Sequence, residues 1–322
     1  MTSMRYRLVT LCSVVLALAA GIILGDGPLE GDGAVAAVTG SGDGDQLDAA
    51  RRQVQQQKQD LAFADTWAAA TGTGLVDRKL RGRAVTVVTL PGAPQDSVDR
   101  VLAAVGAAGA TVASQVAVSA DLLDVSQRQM VSELARQMDV GPARKAVQVP
   151  ADVGDYGRVS RMLAYALLTR EDAGDQPDEV SSGILAGLST AGLVTVAGDG
   201  EGDQGLARRG SAVVVVAGAP YGSADERTGA GSILGELLGA FDRAGDGTVL
   251  SGPMSASAPD GLVTAVRQDA KVARRVSLVD VVDLGPGAVL TVLALAADLA
   301  GKPGDWGSAS AADGPLPGAG NR

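Results

Sequence analysis

Ser277, Asp280 and Asp283 stand as polar residues beside an apolar run, and they are the candidates for contact with a ligand; a helix cap or turn is their other use. Two acidic groups invite a test for divalent cations. Asp199, Glu201 and Asp203 alternate within a Gly-rich stretch, but an EF-hand loop needs Gly at its sixth position and Glu at its twelfth, where Gln204 and Gly210 stand. Glu171, Asp172, Asp175, Asp178 and Glu179 form a denser group. Solvated loops account for both, and a loose cation site is the alternative. The chain has no His, which removes Ser-His-Asp and Cys-His catalysis and imidazole metal sites. Its one cysteine, Cys12, excludes an intrachain disulfide and a thiolate cluster. Gly229, Gly231 and Gly235 miss the G-x-G-x-x-G spacing by one residue and stand too far from the preceding strand. No P-loop and no G-x-S-x-G elbow occurs, and no pair of acids can be located by spacing for a hydrolase. The expectation is a protein that is not an enzyme, with no catalytic residue and no cofactor.

The elements that would position these residues begin after an unusual N-terminus. Residues 8–25 carry no charge, Arg5 and Arg7 precede them, and Asp26, Glu30 and Asp32 follow. A helix of that length reaches about 27 Å, close to the ~30 Å hydrocarbon core. The charge asymmetry predicts a single-pass anchor over 1–25, with the N-terminus cytoplasmic and the bulk extracytoplasmic. A signal peptide cleaved after Ala19 is the rival reading, and it exports the rest of the chain equally. Cys12, within this segment, reads as apolar filler.

Residues 26–46 read as a flexible acidic spacer. Over 47–71, Leu47, Val54, Leu61 and Ala68 recur every seven residues with Ala50, Gln57 and Ala64 between them, a short coiled-coil-like stalk. This predicts either a homo-oligomer through 47–71 or one solvated helix, ended by Thr71-Gly72-Thr73-Gly74.

From 80 to 306 the pattern predicts an α/β domain with a mostly parallel, flavodoxin- or Rossmann-like sheet. Residues 84–90 and 211–217 are continuous apolar runs of strand length, as expected of strands covered on both faces. Helical spacing follows each: Val98, Val101, Leu102, Val105, then Ala230, Ile233, Leu234, Leu237, Leu238, Phe241. Strands at 110–118 and 247–250 complete two βαβ units. A helix around Val159–Met162–Leu163–Ala166, a poorer one around Val180–Ile184–Leu188, and strands at 193–197 and 262–266 fill the rest. Residues 289–299 fit a strand or a helix, and 307–322 a disordered tail.

Acids number 37 and bases 27, a net charge of -10 that argues against nucleic acid as a partner. Aromatic residues make up only 2%, so the core must be assembled from Ala, Val and Leu.

The two ends of the chain resemble the copper transporter MctB family of actinobacterial exported membrane proteins. The front carries Arg5-Tyr6-Arg7 and the 16–25 run LALAAGIILG; the back carries Ser277-Leu278-Val279-Asp280-Val281-Val282-Asp283, Gly287, Leu293-Ala294-Leu295 and Gly301-Lys302-Pro303-Gly304-Asp305-Trp306-Gly307. Val281 stands where members carry acidic or amide residues, and Trp306 where they carry Tyr. The resemblance implies copper efflux, copper ions as cargo, pore formation and an outer-membrane location. A binding or scaffold module of the envelope without transport is the alternative. Of soft ligands beyond the anchor, Met130, Met138, Met162 and Met254 share no short motif, so the metal ligands stay unassigned. The strands also lack the ten-residue alternation of a membrane barrel, which favours an assembly of anchored subunits for any pore.

Overall fold

The computed structural model describes residues 43–197 and 208–318. The anchor at 1–25 with Cys12, most of the spacer, and Asp199, Glu201 and Asp203 lie outside the described residues. Among the described residues, no helix is long and apolar enough to cross a membrane. The chain divides into two compact units, Met1–Asp60 and Leu61–Arg322.

Helix α1 (Asp43–Val76) starts in the first unit, and residues 48–60 of it are exposed. The helix does not stop at Thr71-Gly72-Thr73-Gly74, as the sequence predicts, but runs five residues past Thr71 to Val76. Packing explains the difference. A Cβ on Gly72 would sit 2.5 Å from Val289 Cγ2, so glycine there admits a close crossing instead of breaking the helix. Of the heptad stripe, Ala50, Val54, Gln57 and Ala64 are exposed and Ala68 is buried. Phe63 and Trp67, one turn apart, are exposed as well.

Seven strands form one sheet in the order β3-β2-β1-β4-β5-β6-β7. They are β1 (Ala84–Thr89), β2 (Thr111–Val118), β3 (Val194–Ala197), β4 (Ala212–Val216), β5 (Gly247–Ser251), β6 (Ser277–Val279) and β7 (Asp305–Trp306). All neighbours are parallel except β2 and β3. The chain winds outward from β1 in one direction, returns to β4, then winds outward in the other, which is doubly wound topology.

Alternation along the central strands feeds two cores. Val85, Val87, Val214 and Val216 meet α2 (Gln95–Ala107) and α10 (Gly287–Leu299) on one face. Val88, Val213 and Val215 meet the helices of the other face, chiefly α6 (Asp155–Leu167), α8 (Ala224–Ala244) and α9 (Leu262–Gln268). Three shorter helices, α3 (Ala120–Leu123), α4 (Arg128–Met138) and α5 (Gly141–Val147), together with α7 (Glu179–Thr190), complete that layer. Thr86, a buried polar residue in β1, bonds Ser114 Oγ at 3.2 Å and the Leu167 carbonyl at 3.3 Å.

Three local expectations change. Residues 262–266 form α9, not a strand. Leu262, Val263 and Val266 are buried at i, i+1 and i+4, and a short apolar run does not separate the two forms by periodicity. Residues 289–299 resolve to a helix, α10. The stretch from Gly307, expected to be disordered, folds back: Gly307 N donates to Gly314 O at 3.0 Å and Asp313 N to Asp305 O at 2.7 Å.

Where β1 and β4 end, the topology reverses, and open α/β sheets commonly bind ligands in that crevice. Here the two following turns meet: a Cβ on Gly218 would overlap the carbonyl group of Gly92. G218A is therefore expected to lose about 3 kcal/mol of stability. G74A, with open space around its Cβ, should gain about 0.5–1 kcal/mol. Urea unfolding of both variants checks the pair.

Candidate functional site

Ser277, Asp280 and Asp283 do not converge. Ser277 opens β6, and both its N–H (3.0 Å) and its hydroxyl (2.8 Å) donate to Asp298 Oδ2 on α10. Thr248 N of β5 donates to the other oxygen of Asp298 at 3.2 Å. One carboxyl thus ties the starts of two strands to a helix. Asp298 was not a sequence candidate, although its signal is visible: a single acid in the otherwise apolar helix GAVLTVLALAADL.

Asp280 follows β6 and is fully buried. Its Oδ1 accepts from Ser308 N at 2.8 Å, and its Oδ2 from Ala309 N at 3.0 Å, Ser257 Oγ at 3.3 Å and Arg267 Nη2 at 3.4 Å. Arg267 reaches on to Asp305, with Nη2 to Oδ1 at 2.9 Å and a second bond from Nε. Asp283 is simpler: Oδ1 accepts from Met254 N at 3.1 Å, and its carbonyl accepts from Arg100 Nη2 at 3.2 Å. All three candidates serve as caps and clamps in the structure.

The glycine-rich ending belongs to the same clamp. Leu278 pairs with Asp305 and Val279 with Trp306, so the Ser-Leu-Val-Asp segment and the Gly-Asp-Trp-Gly segment are adjacent strands. Gly301, at positive φ, closes α10: its N–H donates to Asp298 O at 2.8 Å and Lys302 N to Ala297 O at 2.9 Å, a Schellman pattern. A Cβ on Gly307 would overlap the Asp280 carboxylate.

The nucleotide-like glycines also find a packing use. Gly229, Gly231 and Gly235 lie inside α8, and a Cβ on Gly231 would stand 2.5 Å from Ala265 Cβ of α9. They are not turns between strand and helix; they let helices approach.

A cleft of about 170 Å³ lies beyond the carboxyl ends of β2 and β4. Leu123, Ala230 and Leu262 supply apolar lining, Asp121, Asp124 and Glu226 supply acids, and Arg227, ion-paired with Asp260, supplies a base. Hydroxyl and backbone bonds from Ser126 hold the Asp124 carboxyl below its ordinary range. Ser223 does the same for Glu226 through a capping box at the start of α8. That box places the protein's own carboxylate where a helix N-terminus would otherwise receive a phosphate. Burial, followed by the charge of Asp124, pushes the Tyr221 phenol up. The cleft thus suits a small neutral or cationic group held by contact and charge. Among the described residues, no three His, Cys, Asp or Glu side chains gather as a metal site. Met162 is buried in the core, while Met130 and Met138 pack against its edge and Met254 is exposed.

Fold and clamp together define a doubly wound α/β domain whose far sheet edge is sealed by two paired signature segments. The chain belongs to the family described as "Copper transport outer membrane protein, MctB", which matches residues 1–317. It is 27% identical over 300 residues to proteins named copper transporter MctB from Mycobacterium bovis and Mycobacterium tuberculosis, covering 92% of each chain. A copper transporter MctB from Mycobacterium leprae is 26% identical over 316 residues, again covering 92% of each.

Two expectations follow from the clamp. D280A leaves the 308–309 amides and the Ser257 hydroxyl without their acceptor, while Arg267 keeps Asp305, and should cost about 3 kcal/mol. D283A, which removes one accepted bond, should cost about 1 kcal/mol. Denaturant melts measure both, and limited proteolysis should cut D280A first after residue 304. Burial pushes the Asp298 carboxyl up to about 6, against the bonds from Ser277 and Thr248 that favour its ionised form. An unfolded Asp titrates near ~3.9, so between these values the folded chain holds a proton that the unfolded chain has released. Asp298's contribution is fully present at low pH and is lost as pH rises through about 6. The stability difference between wild type and D298N should therefore move against wild type by up to roughly 3 kcal/mol between pH 4 and pH 7.

Proposed function

We propose that this chain is a non-catalytic envelope protein that helps keep cellular copper low, with copper ions as its cargo. The observation that carries the reading is the family match over residues 1–317, together with relatives of the same length class named copper transporters. In this reading the 1–25 segment anchors the chain, the N-terminus stays cytoplasmic and the α/β domain works outside the cytoplasm, at or near an outer membrane. The helix over 47–71 supplies self-association, which the exposed Val54, Phe63 and Trp67 support. The seven-stranded sheet is covered by helices on both faces, so its strands do not meet lipid, and a pore would form between anchored subunits.

A second reading, an anchored binding or scaffold module without transport, draws on the small acidic-rimmed cleft, which has the form of a ligand site. Copper accumulation separates the two. A deletion strain grown in elevated copper should hold several-fold more of the metal than wild type, and the intact gene should restore the low level. Equal accumulation in the two strains removes the transport reading and leaves the module.

A further inference from the structure

On the side of α8 away from the acidic cleft, basic side chains gather. A groove of about 640 Å³ runs between α8 and the 269–276 segment that leads into β6, lined by Arg243, Lys271, Arg274 and Arg275 together with Glu236, Asp242 and Asp269. A second hollow of about 330 Å³ shares Arg243 and adds Arg161 from α6. In a chain of net charge -10, this is a local concentration of cations that folding has brought together from three separate segments.

Each of the three acids in that lining has a neighbour of its own. Asp242 pairs with Arg275 at 2.5 Å. Asp269 accepts from Lys271 N at 2.9 Å through Oδ1. A Cβ on Gly157 would stand 3.0 Å from Glu236 Oε2, so that carboxylate lies against α6. Arg209, in the second hollow, is held by both oxygens of Asp175 at 2.7 and 2.6 Å. Among the described residues, Arg161, Arg243, Lys271 and Arg274 have no carboxylate partner, and the Arg274 guanidinium bonds only its own helix-like turn at the Ala270 carbonyl.

Burial, then the charges of Arg161 and Arg275, lowers the Arg243 pKa against the opposing pull of Glu236 and Asp242. Arg243 sits in the last turn of α8, where the helix dipole welcomes a cation, but that accounts for Arg243 alone. It does not account for Arg161 on α6 or for Lys271 and Arg274 on the loop. Like charges held together in a concavity are stabilised by an anion. The planar forks of several guanidiniums match the oxygen geometry of a phosphate group.

We propose that the cationic surface centred on Arg243, where the groove lined by Lys271 and Arg274 meets the hollow lined by Arg161, binds a phosphate-bearing ligand. The proposal does not depend on the copper reading. The same chemistry is offered by soluble phosphate and by the headgroup of an anionic phospholipid, and the test distinguishes them.

The full-length chain, purified in neutral detergent, is titrated with inorganic phosphate and, separately, with dihexanoyl phosphatidylglycerol. Dihexanoyl phosphatidylcholine serves as the net-neutral control, and binding is read by calorimetry. Saturable binding that weakens with added sodium chloride and falls at least tenfold in R161Q/R243Q supports the proposal. Saturation by phosphate assigns a soluble source; saturation by phosphatidylglycerol but not by phosphate assigns the headgroup. K271Q/R274Q, two changes on an accessible loop, gives the same reading if the first pair compromises folding, as a thermal melt would show. R78Q, which removes an exposed arginine outside the groove, should bind as wild type does. Absence of saturable binding to both anions overturns the proposal, as does wild-type binding by folded groove variants, an equal loss in R78Q, or equal affinity for phosphatidylcholine.

Discussion

With so few aromatic rings, this domain gains its burial from many small side chains, and small side chains contribute only when the segments carrying them come very close. That constraint organises the structure. Gly72 lets α1 touch Val289, Gly231 lets α8 touch Ala265, and Gly218 lets the turn after β4 meet the turn after β1. The central strands, rich in valine, are buried on both faces, so each apolar residue removes area from water whichever way it points. Close approach of this kind tolerates little added volume.

The same constraint shapes the surroundings of the sheet's carboxyl edge. The crevice between β1 and β4, the usual place for a ligand in such topology, is taken by backbone packing. What remains is a smaller cleft displaced toward β2 and α8, rimmed by carboxylates whose hydrogen bonds keep them ionised. On the other side of α8 the cations gather. One helix thus separates a cleft in which acids predominate from a groove in which bases do.

Much of the architecture was legible in the residues, because valine runs and i, i+3, i+4 spacings report directly on how many faces an element buries. The two βαβ units, the parallel sheet and the helix at 155–167 follow from that. Leu262 to Val266 misled because a five-residue apolar run has no period long enough to choose between strand and helix. Gly72 misled because glycine signals both a break and a close contact, and only the partner segment says which; Gly74, with open space around it, is simply carried along in the helix. The candidate site was legible only in part. Ser277, Asp280 and Asp283 are indeed held in specific geometry, but their partners Asp298, Arg267, Ser308 and Ala309 lie 13 to 29 positions away in the chain, a range that local pattern does not reach.

The clamp on Asp280 has a temporal side. A polypeptide that emerges N-terminus first presents this aspartate, and the open flank of β6, well before Trp306, Ser308 and Ala309 arrive to cover them. Until then a carboxylate bonded only to Ser257 and Arg267 and an unpaired strand edge stand together, and a charge beside an open edge resists docking with the wrong neighbour. Completion of the domain is thereby coupled to arrival of the 305–309 segment, and a chain cut before Asp305 would lose the partner strand of β6 and the cover of Asp280 together.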